Sequence, residues 1–208
     1  MSLFITFEGG EGGGKSVQAK ALYRKLSKMD VPVLLTHEPG GTPFGRRIGR
    51  WLKWAQDTDI SPLTELMLFN ASRAQLVAEV IKPALKSGRV VISDRYADST
   101  TVYQGYGRGL DLAMVKAVNK AATQGLTPDL TVLLDAPVEV CFARKGTEKR
   151  DRFEQEAVAF HNKVREGYLK LASEEPQRWL VVDASQSKAK IAEIIWQRVS
   201  RLLASQGG

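Results

Sequence analysis

A short strand, a run of glycines and a helix start, all near the amino terminus, restrict this chain more than anything else in it. Leu3-Phe4-Ile5-Thr6-Phe7 is apolar, aromatic and β-branched, the composition of a buried strand. Glu8 follows, and then Gly9-Gly10-Glu11-Gly12-Gly13-Gly14-Lys15-Ser16, which spells G-x-x-x-x-G-K-S. Beyond it, Ala19, Leu22, Leu26 and Met29 recur at the spacing of one helix face. A glycine run by itself is only a pliable turn. Set between a strand and a helix it becomes an anion cradle. The glycines let successive backbone N–H groups face one concavity, and the helix N-terminus adds about half a positive charge. Lys15 is then placed for the outer phosphates of a nucleoside triphosphate, and the Ser16 hydroxyl for Mg²⁺.

The same alternation continues along the chain. Apolar runs return at Val31–Leu35, Arg89–Ser93, Leu130–Leu134 and Trp179–Val182, with helical periodicity between them. Strands alternating with helices imply a parallel sheet covered on both faces. Ligands of such sheets sit at the carboxyl ends of the strands. The second strand ends in His37-Glu38-Pro39-Gly40-Gly41-Thr42-Pro43, a defined loop in which Glu38 is as well suited to solvent as to function, and His37 reads as surface. The third ends in Asp94-Arg95-Tyr96, followed by Ser99, Thr100, Tyr103 and Gln104. Arg95 is placed to fork onto a phosphate, and Asp94 to hold Mg²⁺ through water, since Mg²⁺ keeps several of its waters. A structural pair between Asp94 and Arg95 is the plainer alternative.

Ser61-Pro62 opens a long helix, with serine as cap and proline at the first position. Leu63, Leu66, Met67, Ala74, Val77, Ala78, Ile81 and Leu85 form its core stripe, and Pro83 should kink or break it near Lys82. Phe69 and Arg73 are four apart and share a face beside that stripe. A planar base with an anionic group suits the two, as does a simple cation–π contact. Tyr106-Gly107-Arg108-Gly109 reads as a flexible turn. Leu110, Ala113, Met114, Ala117, Val118, Ala121 and Ala122 make a stripe of small residues that fits a subunit interface or ordinary core. Five of the nine residues from Arg144 to Arg152 are basic. Such a run is usually a solvated face. Beside a triphosphate site it can instead close, exclude water and neutralise a transferring phosphoryl group. His161 reads as structural.

Composition removes other classes. The net charge of +7 invites a nucleic-acid reading, but the basic residues are spread out and no stacking aromatics alternate with them. No apolar run reaches the ~20 residues of a membrane span, and no secretory signal opens the chain. The one cysteine, Cys141, rules out an intramolecular disulfide framework. These features point to the cytoplasm.

Taken together, the chain resembles thymidylate kinase of the bacterial type from end to end. The resemblance rests on Phe7-Glu8-Gly9 through Lys15-Ser16, Glu38-Pro39-Gly40-Gly41-Thr42, and Phe69 with Arg73-Ala74-Gln75. It continues through Asp94-Arg95-Tyr96 with Ser99 and Tyr103-Gln104, Asp151-Arg152-Phe153-Glu154, and Val182-Asp183-Ala184. It implies a P-loop NTPase-type α/β fold: one domain over 1–208, a five-stranded parallel sheet with helices on both faces, and a short basic lid at approximately 143–153. It implies transfer of phosphate from ATP to dTMP with Mg²⁺, by a homodimer. A kinase for another nucleoside monophosphate and a P-loop nucleotide-binding switch are the competing readings.

Family roles fall on matching positions. Gly9, Gly10, Glu11, Gly12, Gly13, Gly14, Lys15, Ser16 and Val17 hold ATP, with Asp183 and Ala184 bordering the adenine. Ser16 and, through water, Asp94 hold the metal. Arg95 grips the dTMP phosphate, Phe69 stacks on thymine and Arg73 bonds its edge. Ser99, Thr100 and Gln104 line the base site, Tyr103 packs on the deoxyribose, Glu11 meets the 3′-hydroxyl and Glu38 lies near the acceptor phosphate. Catalysis falls to Lys15, Arg95 and a lid arginine. Gly12 stands where eukaryotic relatives carry an arginine, so that charge must come from the lid. Arg150 and Arg144 rank ahead of Arg152 and Lys149, because Asp151-Arg152 looks like a helix entry. The chain departs from many relatives at His37, where they have arginine, and at Val17, where threonine is common.

Overall fold

The computed structural model describes residues 2–55, 59–145 and 151–205. Five parallel strands form one sheet in the order β2-β3-β1-β4-β5, where β1 is Phe4–Glu8, β2 Val33–His37, β3 Val90–Asp94, β4 Leu130–Asp135 and β5 Trp179–Asp183. The apolar runs read from the sequence are these strands. Each extends further toward its carboxyl end than its run, to Glu8, His37, Asp94, Asp135 or Asp183. Ladder hydrogen bonds are made by the backbone, so a polar side chain at the open edge does not end a strand. The register sets Phe7 of β1 opposite Asp94 of β3, and Asp94 opposite His37 of β2. One edge of the sheet therefore carries a row of ionisable groups.

The two faces of β1 divide the core. Leu3, Ile5 and Phe7 pack with Ile92, Val132 and Leu134 under α1 (Lys15–Ser27) and α9 (Lys188–Ser205), where Leu22, Leu26, Ile191 and Ile195 are buried. Phe4 and Val91 point the other way, against Leu76, Val77, Ile81 and Tyr96. On that same side Leu133 meets α8 (Val158–Glu174) through Phe160, Val164 and Tyr168. Thr6 on β1 and Thr131 on β4 are fully buried, and their hydroxyls satisfy one another at 2.9 Å.

The remaining helices are α2 (Pro43–Trp54), α3 (Pro62–Leu76), α4 (Lys82–Lys86), α5 (Ala97–Thr100), α6 (Leu112–Thr123) and α7 (Val138–Lys145). Thr42 caps α2 and Ser61 caps α3, each followed by proline. Pro83 does not break the helical run. A π-helical turn, Val77–Ile81, precedes it and leads straight into α4, since a widened turn accommodates a missing N–H. A second π-helical turn, Thr101–Gly107, takes up Tyr106 and Gly107, which the sequence had assigned to a flexible turn. The cause is tertiary: Gly107 packs against the Phe160 ring.

One core assignment also changes, and the α6 stripe, left open between interface and core, is mostly exposed. Leu66, Val77 and Ile81 are buried as expected, but Leu63 and Met67 are 43% and 49% exposed, and Ala78 is exposed. On α6, Ala113, Ala117 and Ala121 are exposed and only Ala122 of the small stripe is buried. Periodicity marks an apolar face without saying what it meets. No helix among the described residues is long and apolar enough to cross a membrane.

Candidate active site

The glycine loop leaves β1 at the centre of the sheet and enters α1 at Lys15. Gly12 has φ +78°, and a Cβ there would lie 2.2 Å from the carbonyl oxygen of Cys141 on α7. Neither the backbone conformation nor the space admits a side chain. Lys15 is buried, and its Nζ donates to the carbonyls of Gly9 and Gly10 at 2.9 and 2.6 Å. Burial, and then the neighbouring Arg95 charge, pull the Lys15 pKa down to about 8 against the opposing pull of Glu11. The Ser16 hydroxyl donates to Asp94 at the end of β3, so the two residues assigned to a metal do stand side by side. Val17 is 47% exposed on the first turn of α1.

Arg95 stands where two spaces meet. Its φ of +72° is in the left-handed region, which turns the chain sharply as it leaves β3. Its guanidinium donates to Glu11 at 2.6 Å, Ser99 at 3.1 Å, Tyr103 at 3.2 Å and Tyr168 at 3.4 Å. The alternative pairing with its neighbour Asp94 is not made; Glu11 is the partner. Burial would raise the Glu11 pKa, but Arg95 and then Lys15 outweigh it and hold Glu11 at about 2. Tyr103 also donates to Glu11, and burial keeps the Tyr103 and Tyr168 hydroxyls protonated by raising both pKa values. Beneath them lies Glu8, fully buried, which accepts from the Tyr96 N–H at 2.7 Å, Ser99 at 2.6 Å and Tyr168 at 2.8 Å. Burial and the nearby Asp98 push Glu8 up to about 7.

One space is a polar cleft of about 490 Å³ lined by Glu11, Lys15, Ser16, Glu38, Asp94 and Arg95, with His37, Lys53, Asp151 and Glu154 around it. The other is a narrow pocket of about 50 Å³ with Phe69, Arg73, Thr100, Tyr103, Gln104 and Phe153 in its wall. Glu11, Glu38 and Arg95 border both. Phe69 packs against Phe153 with ring centroids 5.5 Å apart, so an aromatic wall faces the pocket. Arg73 is 1% exposed and makes no cation–π contact with Phe69; its ring partner is Tyr96, at 5.6 Å. It donates to Glu38, Asn70, Thr100, Asn119 and the Tyr96 carbonyl at 2.8–3.1 Å. All its N–H directions are thus committed within the protein, and the chief effect is to fix Glu38, whose Oε1 has no partner among the described residues. Thr100 likewise directs its hydroxyl to Asn119 or the Ala97 carbonyl. Gln104 donates to Glu65 at 2.9 Å.

The lid assignment divides in three. Arg144 is exposed near the end of α7; hydrogen bonds from Ser185 lower the pKa of Asp183, with the Arg144 charge adding a smaller pull in the same direction. Arg150 and Lys149 lie outside the described residues. Asp151 accepts from the Phe153 and Glu154 N–H groups, while Glu154 accepts from the Asp151 N–H at 3.1 Å. This is a reciprocal capping box where the sequence suggested a helix entry at Asp151-Arg152, but it closes one turn only, and α8 starts later, at Val158. Arg152 is anchored to Glu65 at 2.5 Å and to the Leu52 carbonyl at 3.1 Å. Ala184 is in the core, its N–H bonded to the Asp135 carbonyl at 2.7 Å, and Asp183 is exposed beside it. His161 is buried against the rings of Phe142 and Phe160, as a structural residue would be. Sequence reasoning passed over Glu8, Lys53, Glu65 and Tyr168. Lys53, Glu65 and Tyr168 reach the site only through contacts between segments far apart in the chain, and Glu8, although next to the glycine loop, meets its partners Tyr96, Ser99 and Tyr168 only in the folded chain.

Comparison with known proteins shows the family of the chain. The thymidylate kinase family model matches residues 7–195. A thymidylate kinase of Dehalococcoides mccartyi is 56% identical over 203 residues, covering 98% of each chain. One from Syntrophotalea carbinolica is 46% identical over the whole of both. The crystal structure of thymidylate kinase from Ehrlichia chaffeensis superposes with a TM-score of 0.78 at 30% identity, covering 95% of this chain and 98% of that one.

Proposed function

The chain belongs to the thymidylate kinase family and phosphorylates dTMP to dTDP with ATP, and from that premise we propose how its residues divide the work. Phosphoryl transfer asks little covalent chemistry of a protein; positioning and charge neutralisation carry most of it. A dTMP phosphate oxygen attacks the γ-phosphorus of ATP while the bond to the β,γ-bridging oxygen breaks. The loop Gly9–Gly14 and Lys15 hold the ATP phosphates, Lys15 turning from the Gly9 and Gly10 carbonyls to the anion. Arg95 holds the dTMP phosphate. The observation that carries this reading is the position of Arg95, presented by four partners at the junction of the polar cleft and the aromatic pocket.

The pocket takes the base, with Phe69 and Phe153 against its faces and Gln104 at its edge. Arg73 and Thr100 act there by fixing the wall and Glu38, and Ser99 by holding Arg95. Glu11 and Tyr103, joined to one another, face the sugar. Mg²⁺ fits at Ser16 and, through water, Asp94, because a hydroxyl and a carboxylate already in contact are the hard oxygen donors it prefers. When bound it neutralises charge on the ATP phosphates. Arg144, beside Asp183, stands on the adenine side; the γ-phosphate arginine is assigned to Arg150. Gly12 can carry no side chain, which leaves the lid as the source of that charge.

A homodimer is supported by the outward faces of three adjoining helices. α2 packs on α3 and α3 on α6. Exposed on them are Phe44, Trp51, Leu63 and Met67, with the alanines of α6 alongside, a patch of the kind that marks association. We place the enzyme in the cytoplasm, in keeping with a single, buried, free thiol at Cys141.

The role assignment is tested by splitting the two substrates. Arg95→Ala is expected to lower kcat/KM for dTMP at least a hundredfold, with a smaller change in ATP affinity measured by titration. Lys15→Ala is expected to do the reverse. Equal effects on both substrates from both variants would refute the division.

A further inference from the structure

Gln104 is fully buried in the π-helical turn and lines the base pocket. An amide can present either a donor or an acceptor, and its two ends are distinguished only by what surrounds them. Here the surroundings decide. Glu65 of α3, fully buried, accepts from Gln104 Nε2 at 2.9 Å and from Arg108 Nε at 3.2 Å on one oxygen. Its other oxygen accepts from Arg108 at 3.2 Å and pairs with Arg152 at 2.5 Å. Both Glu65 oxygens are thus occupied as acceptors, each by at least one guanidinium N–H. The Gln104 NH₂ therefore faces Glu65, which leaves Oε1, without a partner among the described residues, for the pocket that Gln104 lines.

We propose that Glu65 is a positioning residue for base specificity: by holding the Gln104 NH₂ to itself, it turns the amide oxygen, an acceptor, toward the ring N3 edge. Thymine and uracil carry N3–H there and donate to it. Cytosine carries a lone pair at N3 and would leave two acceptors facing each other, a repulsive element that selects against it. Glu65 touches no substrate, and its effect passes through Gln104. The inference rests on the placement of the base proposed above.

Three variants test it with dTMP and dCMP as paired substrates. Gln104→Ala checks the placement: it should lower kcat/KM for dTMP at least tenfold, and an unchanged value would remove the base from this pocket. Glu65→Gln checks the orientation. Its amide oxygen is held by Arg108 and Arg152, so its NH₂ turns toward Gln104, which must reverse and show its own NH₂ to the base. The ratio of kcat/KM for dTMP over dCMP should fall at least tenfold. The double variant Glu65→Gln/Gln104→Glu restores an acceptor toward the pocket and should recover that ratio. If Gln104→Ala impairs dTMP while Glu65→Gln lowers both substrates equally, Glu65 is only a structural anchor and the proposal is wrong. Loss through the Arg152 anchor would raise the KM for ATP without moving the ratio, and would count against it as well. Should Glu65→Gln melt too low to assay, Glu65→Asp keeps the charge for the arginines and withdraws by one methylene from Gln104. Its ratio should also fall, and an unchanged ratio in a folded Glu65→Asp enzyme overturns the proposal.

Discussion

Replacing Gly12 with alanine tests why the cradle has no arginine of its own. The added methyl would stand 2.2 Å from the Cys141 carbonyl oxygen and 3.0 Å from its carbon. Comfortable carbon–oxygen contacts begin at about 3.3 Å, so the loop and α7 would have to part by roughly 1 Å. Two costs add. The left-handed backbone costs a non-glycine residue about 1–2 kcal/mol, and forcing a methyl into packed structure costs about 1–3 kcal/mol. Their sum is about 2–5 kcal/mol. At about 2–4 °C per kcal/mol for a chain of this size, the melting temperature should drop by about 4–20 °C. If α7 swings away instead, the melting change will be small and the cost will appear at the nucleotide, as a raised KM for ATP with the dTMP value little altered. Thermal unfolding and a coupled ADP-release assay on the same preparation read both. An enzyme that melts within about 2 °C of the parent and keeps its KM for ATP would refute the reasoning, since Gly12 would then be dispensable. Gly12→Arg should be worse than alanine by both measures and should bring no gain in turnover.

Two further outcomes follow from the site and the surface. Lys15 is held at about pKa 8 and is charged below that value, so kcat/KM for ATP, which reports the free enzyme, should fall as pH rises through about 8; a flat profile to pH 9.5 would assign the phosphate grip elsewhere. Met67→Glu puts a charge in the middle of the exposed α3 face, and sedimentation velocity should show the parent as a dimer and the variant shifted toward monomer; a parent that sediments as a monomer would disprove the interface.

The chain's own order of residues was enough for the architecture and for the donor site. Strand, glycine loop and helix are contiguous, and the physics of an anion cradle is local: backbone N–H groups, a helix end, one lysine and one hydroxyl within eight residues, Gly9 to Ser16. Apolar runs found all five strands because burial on both faces leaves a continuous signature. Periodicity likewise found α3 and α6, yet it put Leu63 and Met67 inside and left the α6 alanines open between core and interface, because an apolar stripe does not say what it meets. The acceptor site was legible only as isolated residues. Glu11 and Arg95 are 84 positions apart, Glu8 and Tyr168 160, and Gln104 and Glu65 39. Whether Arg95 answers to Asp94 or to Glu11, whether Arg73 faces a base or binds its neighbours, and which end of Gln104 looks into the pocket are settled by where long-range packing puts the opposite charge. The sequence named the groups proposed to do the chemistry; the directions in which their hydrogen bonds point were decided by tertiary structure, because burial leaves each group only the partners that the fold supplies.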